Sequence, residues 1–517
     1  MAAFDAAPGE ATAAPTLAAA APGPAPPAPP PPPPPFPASP FGRAKLWQTA
    51  QHHGDLLTQQ EDVRFVPDFP FVGPIVNISR EELGQTIVGF GGAFTEASAV
   101  VFSQLPIEQQ HEVINAYFGE DGLGYTVGRV HINSCDFSTQ NYAFDTVNDD
   151  FELWHFDDTV ARDARALIPL ILRAQDSVHA QGQRLRLLAT PWSPPAWMKT
   201  SGRMDHSLSP CLRHDVHETW ANYISRWISA YKTRGVNLWA ITIQNEPEFD
   251  AYWEACVMTP MEEADFLGKY LGPQMRRAHP DVLIFVYDHN KNHVVRWADV
   301  IAAHPTASQH MDGVAFHWYT GDGFDAVRQV HERHPDKLLL ATEATYERHR
   351  WRPGATLASG DWRFGEGYAH DIIGDLNAGS VGWLDWNLLL DQHGGPNHAA
   401  NPCDSALMAD LSRAQVLRHP QYYYIGHFSK FIPPGSRHLN VTVAPTRTYA
   451  GVLREYGTCT GEDGLQATSF LRPDGAVAVV VLNCGDYIMD FKLRDRDSAA
   501  LARIPPHAIQ TYLLEAP

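Results

Sequence analysis

Two glutamates are placed where a pair of carboxyl groups could cleave a glycosidic bond. Glu246 closes the apolar run Trp239–Glu246, and Glu343 closes the run Lys337–Glu343. Burying a carboxylate at the end of an apolar strand is costly, so such a residue needs a functional reason. Glycoside hydrolysis needs one protonated carboxyl group for the leaving oxygen and one ionised group that attacks the anomeric carbon. We therefore predict that Glu246 is the general acid/base and Glu343 the nucleophile.

The elements that must position this pair follow an alternating pattern. Eight short apolar runs alternate with longer segments of helical periodicity, which predicts a (β/α)₈ barrel. The runs are Ile87–Phe94, Tyr125–Ile132, Leu185–Trp192, Trp239–Glu246, Val282–His289, Gly313–Tyr319, Lys337–Glu343 and Val381–Asn387. Runs four and seven lie across the mouth of such a barrel, so their terminal carboxylates can converge. A doubly wound sheet would need a glycine-rich phosphate loop, which Gly89-x-Gly91-Gly92 matches only weakly.

The spacing and the neighbours of the pair refine the predicted chemistry. A separation of about 5–5.5 Å between the two carboxyl groups is typical of retaining enzymes. Asn245, next to the predicted acid, could bind the sugar 2-hydroxyl. A non-catalytic sugar-binding barrel is the alternative from a different class, and it would be expected to lack one of the glutamates. The histidines at strand ends are scattered and form no His-x-His pair, so we predict neither a metal nor a cofactor.

Composition divides the chain into four predicted regions. Residues 1–40 are rich in Ala and Pro, with 13 prolines between Ala21 and Pro40, and are predicted to be disordered. Residues 85–430 hold the barrel. Residues 431–517 contain short strands separated by turns and no helix, which predicts a small antiparallel β domain. Residues 41–84 carry strand-like runs that are expected to join the sheet of that domain.

Charge and cysteine usage restrict the partners. The 59 acidic residues outnumber the 39 Lys and Arg residues, and the net charge of -20 disfavours binding to nucleic acid. No run of 18 apolar residues exists, so no membrane-spanning segment is predicted. None of the six cysteines forms a C-x-x-C pair, which disfavours a zinc site, and their spacing leaves disulfides undecided. The N-terminus does not have the pattern of a standard signal peptide, and the sequence leaves localisation and oligomeric state open.

Beyond these patterns, about residues 80–517 resemble glycoside hydrolase family 30, and within it the glucosylceramidases. The motifs that carry the resemblance are Gly89-Phe-Gly-Gly-Ala-Phe-Thr, Ser134-Cys-Asp-Phe-Ser, Thr190-Pro-Trp-Ser-Pro-Pro-Ala-Trp-Met-Lys-Thr, Gln244-Asn-Glu-Pro, Phe316-His-Trp-Tyr, Thr342-Glu-Ala, Gly382-Trp-Leu-Asp-Trp-Asn, Gly394-Gly-Pro-Asn and Gly426-His-Phe-Ser-Lys-Phe-Ile-Pro-Pro-Gly-Ser. The resemblance implies a barrel accompanied by an all-β sandwich that the N-terminal strands and the C-terminus build together.

The same resemblance implies an activity. It is the hydrolysis of β-glucosidic bonds with retention, in particular of glucosylceramide to glucose and ceramide. Endo-β-1,6-glucanase and β-xylosidase are the alternative activities of the family. The implied partner is a β-glucoside, which includes glycolipids, and peripheral contact with a membrane stays open. Family relatives are often secreted or lysosomal.

The resemblance also assigns roles to further residues. Asp136 is expected to hold glucose hydroxyls far from the scissile bond, and Trp192 and Trp386 to hydrogen-bond or stack on the sugar. Arg129 and Tyr319 are expected to position the nucleophile.

Two more residues are implied at the border of the site. Trp318 is expected to line it, and Asn397 is expected to close its edge.

Deleting residues 1–40 should leave folding and kinetics nearly unchanged. Apart from Ala and Pro, the segment offers few apolar side chains, so it can bury little surface on folding. The measurement is the melting temperature and kcat/KM of the truncated chain beside the full chain. A melting temperature lower by many degrees would show that the segment packs against the rest of the protein.

Overall fold

The computed structural model describes residues 42–446 and 454–515. Residues 1–40, for which the sequence predicts disorder, and residues 447–453, which fall in the predicted β domain, lie outside the described residues. In the part of the chain that is described, no helix is long and apolar enough to cross a lipid bilayer.

Strands and helices alternate through the middle of the chain, whereas strands dominate towards both ends. The strands are β1 Arg43–Ala50, β2 Asp55–Arg64, β3 Val66–Pro67, β4 Ile75–Thr86, β5 Gly89–Phe94, β6 Val127–Ile132, β7 Arg186–Pro191, β8 Ala240–Thr242, β9 Leu283–Asn290, β10 Gly313–His317, β11 Leu338–Glu343, β12 Gly382–Asn387, β13 Leu390–Asp391, β14 Leu407–Asp410, β15 Gln415–Arg418, β16 Arg437–Ala444, β17 Leu465–Leu471, β18 Val477–Asn483, β19 Met489–Asp495, β20 Ser498–Ile504 and β21 Ala508–Leu514. The α-helices are α1 Glu96–Gln104, α2 Ile107–Phe118, α3 Leu167–Ala180, α4 His217–Thr233, α5 Pro260–Phe266, α6 Gly272–Ala278, α7 Val294–Ala303, α8 Phe324–Arg333, α9 Trp362–Asn377 and α10 Pro420–Ser429.

The strands β5 to β12 form a closed parallel barrel. They are hydrogen-bonded in chain order, and β12 returns to pair with β5. Each strand begins within one of the eight predicted apolar runs. The interior is filled by fully buried apolar side chains, such as Val127, Phe285 and Leu340, as expected for a packed barrel core. The predicted (β/α)₈ barrel is therefore confirmed.

Gly91 lets the first two barrel strands approach closely. It pairs with Val127 of β6, and a Cβ atom on Gly91 would lie 1.7 Å from the backbone oxygen of Val127. No side chain fits in that distance. The Gly89-Phe-Gly-Gly motif is therefore a packing feature of the barrel.

The fourth barrel strand is shorter than the sequence predicts. The run Trp239–Glu246 forms a strand only over Ala240–Thr242, and Glu246 lies four residues beyond it with a φ of 47°. A non-glycine residue in this left-handed region is uncommon. The prediction that Glu246 closes the strand is therefore wrong, because the chain leaves the ladder at Thr242 and turns to bring Glu246 over the barrel mouth.

The helices that surround the barrel bury one face each. In α4 the large buried side chains recur every three or four residues, the spacing of a single helical face. They are Trp220, Tyr223, Ile224, Trp227, Ile228 and Tyr231. In α5, Thr259 and Glu262 form a capping box that satisfies free backbone N–H groups at the start of the helix.

Ten described strands outside the barrel form one sheet, in the order β2-β1-β21-β18-β17-β16-β4-β19-β20-β3. The sheet folds into two layers, because Phe491 of β19 and Tyr512 of β21 are not on neighbouring strands yet their ring centroids lie 6.1 Å apart. The predicted all-β sandwich of N-terminal strands and C-terminus is confirmed. The sequence patterns missed the strand β20 and the small sheet of β13, β14 and β15.

Four of the six cysteines form disulfide bonds. Cys211 is bonded to Cys256, which joins the loops that follow β7 and β8. Cys459 is bonded to Cys484, which joins the connection between β16 and β17 to the end of β18. Cys135 and Cys403 are free and buried.

A buried histidine joins the barrel helix α10 to the sandwich. His427 Nδ1 lies 2.8 Å from the hydroxyl of Thr511 on β21, and its Nε2 lies 2.9 Å from the hydroxyl of Thr49 on β1. The neutral ring satisfies both hydroxyls with one donor and one acceptor. Complete burial disfavours the charged form and lowers the pKa of His427 to about 3.

His427 should make the protein less stable at mildly acidic pH. Its folded pKa of about 3 lies below the ordinary value of 6.5, so between these values the unfolded chain takes up a proton that the folded chain excludes. The free energy of unfolding should fall by about 2 kcal/mol more in the wild type than in His427→Gln between pH 7 and pH 5. Denaturant titrations measure this difference. The control is His111→Gln, which alters an exposed residue of α2 and should behave like the wild type.

Candidate active site

A cavity of about 360 Å³ opens at the C-terminal ends of the barrel strands. Seven of the ten site residues predicted from the sequence lie on its wall. They are Asp136, Trp192, Asn245, Glu246, Tyr319, Glu343 and Trp386. Arg129, Trp318 and Asn397 are not among the wall residues. The barrel therefore brings side chains from most of its strands to one small space.

Glu343 ends β11 and is held by two donors. Its Oε2 accepts a short hydrogen bond from Nη1 of Arg129, and its Oε1 accepts one of 3.0 Å from the Tyr319 hydroxyl. Arg129 comes from β6, is completely buried, and lies below the cavity. The two donors fix the orientation of the Glu343 carboxyl group.

Asp288, on β9, balances the charge of Arg129. Its Oδ2 accepts from Nη2 of Arg129 at 2.9 Å and from Thr242 at 2.7 Å, while its Oδ1 accepts from Thr342 at 2.6 Å. The ring of His317 donates to Oδ1 at 3.0 Å. Burial alone would favour the neutral acid, but Arg129 and His317 outweigh it and hold the pKa of Asp288 well below its usual range. The sequence analysis assigned no role to Asp288.

Glu246 faces two imidazoles. His317 Nδ1 lies 3.1 Å from its Oε1, and His289 Nδ1 lies 3.5 Å from the same oxygen, an electrostatic contact longer than a hydrogen bond. Burial favours the neutral acid, but the contacts with His289 and His317 outweigh it and lower the pKa of Glu246. Burial would lower the pKa of His317, but Glu343, Asp288 and Glu246 raise it to about 9. At neutral pH the proton of this pair therefore rests on the imidazole.

Asn245 uses its carbonyl oxygen inside the protein. The Oδ1 atom accepts from Nη2 of Arg129 at 2.8 Å, which leaves the amide NH₂ group as the part available to the cavity. The backbone N–H of Asn245 donates to the carbonyl of Pro191 at 2.8 Å and fixes the start of the turn that carries Glu246.

Two stacked indoles and a carboxyl group form the far side of the cavity. Trp192 and Trp386 stack with ring centroids 5.2 Å apart, and the guanidinium of Arg129 lies 4.6 Å from the centroid of Trp192. Asp136 lies on the same wall. Burial, and then the negative charges of Glu343 and Glu254, raise the pKa of Asp136 well above its usual range.

Two predicted residues act one layer behind the wall. Trp318 is 1% exposed, and its ring packs edge-on against Tyr346 at 4.9 Å, so it supports the wall from behind. The expectation that Trp318 lines the site is not met, because its ring is enclosed by tyrosine rings, those of Tyr346, Tyr368 and Tyr456. The side chain of Asn397 binds the backbone of Asn401, and Asn401 is the residue that reaches the cavity.

Sequence reasoning missed other wall residues. They are Glu248, Phe249, Trp253, His289, Asn290, Thr345, Glu347, Asn401, Cys403 and Tyr456. Several follow the strand ends in loops, where neither periodicity nor strand position marks them. Tyr456 belongs to the connection between β16 and β17, far from any barrel strand in sequence.

Within residues 42–446 and 454–515, two groups of side chains have donor atoms close enough for a metal ion. Glu246, His289 and His317 place ligand atoms within 4.8 Å of one another, as do His370, Cys459 and Asp463. In the first group, both nitrogens of His317 already contact carboxylates, those of Glu246 and Asp288. This group is therefore a proton-sharing cluster. In the second, the disulfide of Cys459 removes the thiolate that a metal would need.

The sequence and the fold match those of known proteins. Residues 87–432 match the glycosyl hydrolase family 30 TIM-barrel domain, and residues 455–512 match the beta sandwich domain of that family. The chain is 33% identical over 451 residues to lysosomal acid glucosylceramidase of Mus musculus. This alignment covers 85% of this chain and 83% of the mouse protein. It is 28% identical over 417 residues to an endo-1,6-beta-D-glucanase of Aspergillus fumigatus, covering 77% of this chain and 78% of the fungal one.

A solved structure agrees with these matches. SrfJ from Salmonella typhimurium superposes with a TM-score of 0.82 at 30% sequence identity, over 92% of this chain and 99% of that chain. The resemblance indicated by the motifs is confirmed by the family matches, by the relatives and by the shared fold of barrel and sandwich. This chain belongs to glycoside hydrolase family 30 and is a glycoside hydrolase.

Proposed function

We propose that this enzyme is a retaining β-glucosidase that hydrolyses glucosylceramide to glucose and ceramide. The observation that carries the proposal is that one cavity wall holds two glutamates in unlike environments. Glu343 is bound by a cation and a hydroxyl, whereas Glu246 shares a proton with an imidazole. Double displacement calls for unlike surroundings, because one carboxylate attacks the sugar while the other exchanges a proton with the leaving oxygen.

The reaction proceeds by two displacements at the anomeric carbon. Glu343 attacks this carbon and forms a covalent glycosyl ester, while the bond to the leaving oxygen breaks and Glu246 gives that oxygen a proton. Ceramide then departs as an alcohol. In the second step Glu246 takes a proton from water, the water oxygen attacks the anomeric carbon, and the ester bond to Glu343 breaks. Two inversions give β-glucose.

His317 can supply the proton that the first step needs. Its ring lies 3.1 Å from Glu246, and its pKa of about 9 keeps it protonated at neutral pH. A sugar in the cavity displaces water from Glu246, which favours the neutral acid. Transfer of one proton from His317 then leaves Glu246 ready to donate it to the leaving oxygen.

The far wall offers a binding place for the glucose ring. Trp192 and Trp386 present aromatic surface, Asp136 offers a carboxyl group to hydroxyls, and Asn245 directs its NH₂ group toward the cavity. Planar rings with a few polar groups match the apolar faces and equatorial hydroxyls of glucose. These residues therefore form the proposed binding site for the glucose ring, the glycone of the substrate.

Ceramide as the aglycone is supported by similarity and by the rim. The mouse relative is a glucosylceramidase by name. Phe249, on the cavity wall, is 43% exposed, and the adjacent Trp253 packs against it, so this part of the rim is apolar. Endo-β-1,6-glucanase is the second candidate, favoured by the Aspergillus relative. An apolar rim also suits peripheral contact with a lipid surface.

Replacing Glu246 should affect poor leaving groups far more than good ones. Glu246→Gln should lower kcat/KM for alkyl β-glucosides by about 10²-fold or more, and much less for an activated aryl β-glucoside, which needs little acid assistance. Azide should partly restore transfer from the aryl substrate and give a β-glycosyl azide. An equal loss on both substrates, without any azide product, would contradict the acid/base role.

Substrate choice and stereochemistry test the rest of the proposal. Purified protein should release glucose from glucosylceramide in detergent faster than it cleaves a β-1,6-glucan or an aryl β-xyloside. NMR before mutarotation should detect β-glucose first. Glu343→Gln should abolish both turnover and trapping by a fluoro-sugar, with an unchanged melting profile as the control. Faster cleavage of the glucan would favour the second candidate, and α-glucose as the first product would overturn double displacement.

A further inference from the structure

A segment of the sandwich domain reaches the catalytic cavity. Residues 454–463, which we call the sandwich arm, precede β17 and cross to the barrel mouth. Tyr456 of this arm lies on the cavity wall, although the family match places it in the sandwich domain. The site is therefore completed by a residue that is not part of the barrel.

Tyr456 is held by contacts on several sides. Its hydroxyl donates to Oε2 of Glu347 at 2.6 Å, and the guanidinium of Arg350 lies 4.2 Å from its ring centroid. Its ring meets Tyr319 edge-on at 5.3 Å, and Trp318 lies at the same distance. Because the hydroxyl and one ring face are occupied, the part of Tyr456 left for the cavity is aromatic surface.

The sandwich arm is held at three points along its length. The disulfide of Cys459 with Cys484 joins it to the end of β18. Arg454 donates to Asp322, in the barrel loop after β10, at 2.9 Å. Between them, the carbonyl of Gly457 accepts from the hydroxyl of Tyr346 at 2.6 Å. The position of Tyr456 is therefore set by the fold of both domains.

Gly457 shows how closely the arm packs on the barrel. Its φ is 63°, and a Cβ atom there would lie 2.2 Å from the Tyr346 hydroxyl. A side chain at this position would push the arm away from the barrel. The arm therefore packs against the barrel so closely that position 457 has no room for a side chain.

Tyr456 lies on the side of the cavity away from the glucose candidates. Asp136, Trp192 and Trp386 follow or belong to the second, third and eighth barrel strands. Tyr456 instead contacts Tyr319, after the sixth strand, and Glu347, after the seventh. The proposed glucose contacts thus leave the part of the wall at Tyr456 available for the aglycone.

We propose that Tyr456 is a specificity-determining residue that contacts the aglycone and favours apolar leaving groups. The proposal rests on the glycosidase site described above. It assigns to the sandwich domain a part in substrate selection, with the aromatic surface of Tyr456 packing on an alkyl or aryl chain. The disulfide-anchored arm keeps that surface in place.

The test compares two substrates that differ only in chain length. Ethyl and octyl β-glycosides have chemically similar alcohol leaving groups, so the ratio of their kcat/KM values reports binding of the chain. The sugar is the one that the wild-type enzyme cleaves fastest as an aryl glycoside. Tyr456→Ala should lower the octyl/ethyl ratio by about tenfold. Tyr456→Phe, which keeps the ring, should preserve most of it.

Controls separate this effect from general damage. Tyr487→Ala changes a tyrosine of the same domain that is 81% exposed, and it should leave the ratio unchanged. The paired variant Cys459→Ser with Cys484→Ser keeps Tyr456 but frees the arm, and it should lower the ratio in the same direction. Tyr456→Gln, which is polar but of similar length, replaces the alanine variant if that variant does not fold.

Two outcomes overturn the proposal. If folded Tyr456→Ala or Tyr456→Gln keeps both the octyl and the ethyl kcat/KM at the wild-type value, the chain does not touch this residue. An equal loss on both substrates would show that Tyr456 acts only through Tyr319 and Glu343. A wild-type preference for xylosides would refute the β-glucosidase proposal, whereas the ratio would still decide the role of Tyr456.

Discussion

The buried ion pair between Arg129 and Asp288 is the interaction on which the site depends. Neither side chain is exposed, and a lone charge at either position would be costly. In the pair, each charge compensates the other, and the hydroxyl groups of Thr242 and Thr342 donate further hydrogen bonds to Asp288. Arg129 then has further donors for Glu343 and Asn245, and Asp288 has an acceptor left for His317. One pair thus orients both glutamates, because His317 carries the contact on to Glu246.

The sequence predicts the barrel, and it predicts that Glu246 and Glu343 converge at the barrel mouth. The parallel strands of a barrel are buried on both faces, so they leave continuous apolar runs that are visible without a structure. Glu343 ends such a run, and the position of a strand in the barrel order says which residues can face one another. The resemblance to a family adds the sandwich, whose first and last strands are too far apart in sequence for any local pattern to join them.

Other parts of the site could not be predicted, for physical reasons. The role of Asp288 depends on side chains from five other strands that converge on it, and it lies 159 residues from Arg129 in the sequence. Glu246 itself has a left-handed backbone conformation, and no residue type in this turn predicts it. Tyr456 enters the wall through a connection of the second domain. Local patterns report burial and periodicity, whereas these features depend on which distant loops meet.

The pairing of β1 with β21 has a consequence for folding during synthesis on the ribosome. Ala50 pairs with Ala508, a separation of 458 residues, so the first strand of the sandwich has no hydrogen-bonded neighbour on that side until β21 has been made. At about 5–20 residues per second, a ribosome needs about half a minute to a minute and a half to supply it. During that time the β1–β2 hairpin presents an open edge of the kind that invites wrong pairing. The sandwich can therefore be completed only after β21 has been synthesised. Until then, the edge of β1 that pairs with β21 must be shielded from wrong partners.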